Sequence, residues 1–112
     1  MPTPSFEAAR KDRALWGRLV ETAVGAHLVN GTQGTSVQVG YWLERNREVD
    51  FVLSAAGATV AIEVKSGRAP ASLPGLDVFR KAFPKSRTLL VGGDGIPTEE
   101  FLASEPQRWL KA

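Results

Sequence analysis

Two short alternating runs, separated by a turn of small residues, constrain this chain more than any other feature. Residues 48–53 set Val49, Phe51 and Leu53 against Glu48, Asp50 and Val52. Residues 59–65 set Val60, Ile62 and Val64 against Thr59, Ala61, Glu63 and Lys65. A period of two is the signature of half-buried strands, and residues 55–58, with Gly57, turn the chain between them. A hairpin symmetrical about Ala56–Gly57 places Asp50 opposite Glu63 and Glu48 opposite Lys65. Asp50, Glu63 and Lys65 then share one face. Opposed residues have Cβ atoms roughly 4.5–5.5 Å apart, so two carboxylates placed there repel. A divalent cation between them removes the conflict. Lys65, about 6–7 Å further along the same face, comes within reach of a water on that cation. The competing reading is a surface salt-bridge patch pairing Glu48 with Lys65 and Asp50 with an arginine. It is preferred for any one residue. It loses ground for the set, because the opposite faces are apolar and these ionisable groups stand mid-strand.

Composition narrows the choice of metal. The chain has no cysteine and one histidine, His27. That excludes a thiol nucleophile, a Cys-built zinc site and a multi-histidine centre. Oxygen ligands remain, which suit magnesium, manganese or calcium. At 112 residues, 43% of them apolar, the chain is long enough for one domain with its own core. No apolar run approaches the roughly 20 residues that span a bilayer, and residues 1–13 lack an apolar signal core. A cytoplasmic protein is expected. The net charge of +2 is weak evidence for nucleic acid. Basic residues gather at Arg10–Lys11–Arg13, Arg45–Arg47, Lys65–Arg68 and Arg80–Lys81–Lys85–Arg87; each cluster alone reads as solvated surface.

The remaining elements follow from periodicity and breakers. Residues 1–11 read as an irregular arm, and 12–112 as the single domain. Asp12 can cap a helix over about 13–29, whose apolar positions recur at helical spacing, and Asn30–Gly31 is expected to end it. Residues 37–44 form a strand and 45–47 a turn. After the hairpin come a loop over 66–74, a short helix over 76–83 and a strand over 88–91. A helical turn over 97–102 follows, with Thr98 as its cap, and Trp109 packs back on the body. The order is α-β-β-β-α-β: an α/β fold whose mixed four-stranded sheet is flanked by helices.

Glu21 sits on the first helix between Gly17 and Gly25, one turn away on each side. Mid-helix glycine costs roughly 1 kcal/mol relative to alanine. Close approach of a backbone or ligand, or plain helix–sheet packing through small residues, would offset that equally well.

These segments together carry a family resemblance. Gly17-Arg-Leu-Val-Glu21, Tyr41-Trp42, Glu48-Val-Asp50-Phe-Val and Ile62-Glu63-Val-Lys65-Ser-Gly67 resemble the PD-(D/E)XK nuclease superfamily. More narrowly, they resemble the uncharacterised C-terminal domain attached to many prokaryotic AAA-type ATPases. Leu90-Val-Gly-Gly-Asp-Gly95, Phe101-Leu and Trp109 also suit that group. The resemblance implies a restriction-endonuclease-like core, with Asp50 and Glu63 as metal-ligating acids, Lys65 as the catalytic lysine and Glu21 as the helix acid completing the site. The departure is the ATPase: no G-x-x-x-x-G-K-[ST] loop occurs, so a stand-alone protein or a fragment is expected, with an ATPase supplied in trans.

The function expected is therefore a magnesium- or manganese-dependent DNA endonuclease or resolvase-like phosphodiester hydrolase. The alternative is a catalytically silent module that binds nucleic acid or a partner. Trp42, Arg45, Arg47, Ser66 and Arg68 are the candidate nucleic-acid contacts. For Trp42 and Tyr41, packing within the sheet is the commoner role of such aromatics. A homodimer would suit cutting two strands.

Overall fold

The structure is a computed structural model that describes residues 12–44, 47–66 and 73–111. The expected arm 1–11, together with Arg45 and Arg68, lies outside the described residues. Helix α1 spans Arg13–Thr32, and Asp12 caps it by accepting a hydrogen bond from the Leu15 N–H at 3.1 Å. The helix runs past Asn30–Gly31, which was expected to end it. Gly31 instead lets Pro106 approach: a Cβ there would lie 2.7 Å from the proline Cδ. Thr32, buried at the last position, donates from Oγ1 to the Leu28 carbonyl at 2.7 Å, a back-bond that closes the final turn.

Strands β1 (Gln38–Glu44), β2 (Arg47–Ala55) and β3 (Ala58–Val64) follow as an antiparallel run. Helix α2 (Pro74–Ala82) leads to β4 (Arg87–Val91), which lies parallel to β3. The four-stranded mixed sheet has the order β1-β2-β3-β4, as the sequence predicts. The β2–β3 hairpin turns on Ala56 and Gly57, both at positive φ (50° and 82°), as a two-residue turn matched to strand twist requires. Its pairs run from Ala55↔Ala58 to Phe51↔Ile62, the register expected from symmetry about that turn.

Two short helices complete the chain, α3 (Thr98–Leu102) and α4 (Arg108–Lys111). Thr98 is the first helical residue rather than the cap. Pro97 holds the cap position and makes no side-chain capping bond.

Each face of the sheet has its own core. Val24 and Leu28 of α1 pack with Leu53, Val60, Ile62, Val91 and Phe101 on one side. Phe101 stacks on Trp109 at 5.6 Å between ring centroids, so the chain's end does pack back on the body. On the other side Leu76 and Phe79 of α2 cover Val49 and Ala61. Fully burying each of the larger of these side chains contributes roughly 1.5–3 kcal/mol. Among the described residues no helix is long and apolar enough to cross a membrane.

Candidate functional site

The site begins with a fault in the strand pairing. Between β1 and β2, Gly40 pairs with Val52 but Trp42 pairs with Val49. Tyr41 alone therefore faces two residues, Asp50 and Phe51, and β2 carries a bulge there. The cores show its effect. Leu53 and Phe51 belong to the α1 side, whereas Val52 and Val49 belong to the α2 side. Strict alternation had placed Val49 with Phe51 and Leu53. The extra residue shifts the phase by one and re-aims Asp50.

Asp50 is then held by the neighbouring strand. Beyond Phe51↔Ile62, the Val64 N–H donates to Asp50 Oδ2 at 2.8 Å. A side chain thus satisfies an amide that directly faces the bulged part of β2. The Asp50 and Glu63 carboxyl groups are in hydrogen-bond contact. Lys65 Nζ lies 3.6 Å from Glu63 Oε1. The expected trio is assembled.

Electrostatics bear the marks of that crowding. Burial pushes the Glu63 carboxyl up to about 7, the Asp50 charge and its hydrogen bond push the same way, and Lys65 opposes them. Glu21 is shifted upward too, first by desolvation and then by the charges of Asp50 and Glu48, with Lys65 again opposing. The helix acid therefore feels the same cluster across a cleft of about 510 Å³, which is lined by Glu21, Tyr41, Glu48, Asp50 and Phe51 among others.

The backbone around Lys65 is fixed from the β4 side. Its N–H donates to the Val91 carbonyl at 2.9 Å. Gly92, at φ 81°, lies so close to the Lys65 carbonyl that a Cβ there would collide with it. That is why the turn after β4 carries glycine. The glycines beside Glu21 serve helix–sheet packing: a Cβ on Gly25 would come 3.1 Å from the Phe51 ring, and one on Gly17 3.2 Å from Ser66 Oγ.

Among the described residues, no three of His, Cys, Asp and Glu converge into a metal-binding group. The residues that could hold a cation directly are Asp50 and Glu63. Their chemistry fits a hard divalent ion: the donors are all oxygen, and the raised Glu63 carboxyl holds a proton that a cation would displace. Glu21 stands across the cleft as the third acid.

The candidate nucleic-acid contacts divide. Ser66 and Arg47 are exposed. Trp42 is half-buried beneath α2 and meets Phe79 edge-on at 5.4 Å, on the far side of the sheet from the cleft. The aromatic that the structure brings to the cleft is Tyr41, 76% exposed. Alternation along β1 separates these two roles, the bulge in β2 decides which of them shares a face with Asp50, and no residue type in 40–52 announces it. His27 bonds the Ser104 carbonyl at 2.8 Å and meets the Phe101 ring edge-on, a packing role.

Comparison with known proteins supports the narrower resemblance, to the C-terminal domain of prokaryotic AAA-type ATPases. A model described as a domain of unknown function, DUF4143, matches residues 16–102. No curated protein and no solved structure matches the chain. The chain belongs to the DUF4143 family, a domain found at the C-terminus of AAA-type ATPases in many prokaryotes.

Proposed function

We propose that this domain is a divalent-metal-dependent DNA endonuclease or resolvase-like phosphodiester hydrolase of the PD-(D/E)XK type, acting through Asp50, Glu63, Lys65 and Glu21. The observation that carries the reading is geometric: the Val64 N–H holds Asp50 at 2.8 Å beside Glu63, and Lys65 Nζ lies 3.6 Å from Glu63 Oε1. Salt bridging alone would place a cation between the acids, not the acids against each other.

When bound, magnesium or manganese supplies a water of lowered pKa and a polarised phosphate. The chain's own groups do the rest. Asp50 and Glu63 bind the cation, and the Val64 N–H orients Asp50 by engaging Oδ2. Lys65 orients the attacking water or offsets negative charge that develops on the phosphoryl oxygens. Glu21 faces the same cleft and completes the acidic set. Arg47 and Ser66 are exposed and contact phosphates further along the strand. The expected ATPase partner in trans and the homodimer remain parts of this proposal.

One observation favours the second reading, a binding module without turnover: Glu21 lines the cleft but does not converge with Asp50 and Glu63 into a three-acid group among the described residues. The experiment is cleavage of duplex, nicked, branched and single-stranded DNA by purified protein with magnesium or manganese. The enzyme reading expects products that disappear in Asp50→Ala, Glu63→Ala and Lys65→Ala. Binding without products, equal in wild type and Lys65→Ala, establishes the module instead.

A further inference from the structure

We infer that Tyr41 is a stacking platform for an unpaired nucleobase, so that the preferred substrate presents single-stranded nucleic acid beside the acid cluster. This rests on the nuclease reading for the phosphate, and on separate observations for the base.

Tyr41 is 76% exposed although it lies within a strand of the sheet. Strand β1 is an outer strand. Val39, two residues earlier, packs in the α1-side core, and Trp42, the next residue, packs on the α2 side. Alternation puts Tyr41 on the α1 side, where it lines the cleft with Glu21, Glu48 and Asp50. Leu43 continues the same face two residues on, 60% exposed, and pairs with Glu48. Two exposed apolar side chains, Tyr41 and Leu43, thus stand on this face, with Tyr41 beside the acids of the cleft.

The bulge opposite Tyr41 brings Asp50 and Phe51 to one aromatic neighbour. A ligand that satisfies both halves of the cleft must carry a phosphate for the acid–cation side and a flat apolar ring for the tyrosine side. A nucleotide does so. In an intact duplex the ring faces are covered by stacked neighbours, so Tyr41 can reach one only where bases are unpaired. Stacking of a base on an aromatic side chain is sequence-tolerant and, when removed by alanine substitution, changes affinity by roughly 5- to 150-fold.

The test is binding rather than cleavage. Calcium replaces magnesium to hold the nucleic acid uncut, and the probes are a short DNA single strand carrying 2-aminopurine and the same sequence as a blunt duplex. The wild type should bind the single strand more tightly and quench the 2-aminopurine. Tyr41→Ala should lose the quenching and at least about fivefold in single-strand affinity, with duplex affinity unchanged. Tyr41→Trp should retain both. Undiminished single-strand binding and quenching by Tyr41→Ala, or wild-type preference for the blunt duplex, overturns the inference alone. Binding that depends on Tyr41 in a protein that cuts nothing keeps the inference and removes the enzymatic reading. Absence of binding to either probe overturns both.

Discussion

The Val64 N–H donates to Asp50 Oδ2 at 2.8 Å, tying the bulged acid of β2 to the strand that carries Glu63. The hydrogen bond fixes Asp50 against Glu63 despite their mutual repulsion. A site that stores such a conflict in the metal-free protein should reveal it in stability, in pH dependence and in its response to cations.

Asp50→Ala and Asp50→Asn should separate the hydrogen bond from the charge. Both remove the negative charge beside Glu63, but asparagine still offers an oxygen to Val64. Leaving a partly buried amide unsatisfied costs about 1–3 kcal/mol. Urea denaturation in metal-free buffer should therefore find the alanine variant less stable than the asparagine variant by about that amount. Equal stabilities would mean that the bond contributes nothing.

The pH dependence follows from Glu63, whose carboxyl is raised from 4.5 to about 7 by burial and by Asp50. Between those values the folded protein holds a proton that the unfolded chain has released. Stability from this group is complete below about 4.5, falls as pH rises, and levels off above about 7. Glu63→Gln lacks this loss. The stability difference between wild type and Glu63→Gln in metal-free buffer should shift steadily in favour of the variant across that window. Parallel profiles would contradict the buried acid pair.

Cation binding has the opposite sign. Manganese must displace the Glu63 proton, so its apparent affinity should rise by up to about tenfold per pH unit below about 7 and flatten above it. Melting temperature with saturating manganese should then exceed the metal-free value by more at pH 8 than at pH 6. A shift independent of pH would place the ion elsewhere.

The hairpin was legible because it is local: alternation and a glycine turn fix the pairing of Phe51 with Ile62. That alone predicts Asp50 beside Glu63. The bulge was not legible, because it depends on how β1 meets β2, and both phases leave apolar residues on both faces. Missing it assigned Val49 to the wrong side, and Trp42, named as a nucleic-acid contact, packs against Phe79 instead. The end of α1 was misjudged for a similar reason. Asn30–Gly31 has the chemistry of a helix stop, but the tertiary approach of Pro106 requires that glycine inside the helix. Glu21 was legible only through the family resemblance; its place across the cleft is set by the packing of Gly25 on Phe51.

Close packing at the start of α2 gives another test. A Cβ on Gly75 would collide with the Glu48 carbonyl, although alanine is intrinsically better than glycine in a helix by about 1 kcal/mol. Gly75→Ala should nonetheless destabilise the fold, by about 1–3 kcal/mol, and should weaken cation binding because Glu48 lines the cleft. Denaturation and manganese titration of that variant check both effects. Stabilisation would show that α2 can shift without moving β2.

The central claim is that Asp50 and Glu63 form one cation site, and calorimetric titration of manganese into metal-free protein at pH 8 tests it most directly. The account predicts one saturable site in the wild type that is lost in both Asp50→Ala and Glu63→Gln, with the fold intact by circular dichroism. Saturable binding unchanged in those variants, or none in the wild type, would contradict it.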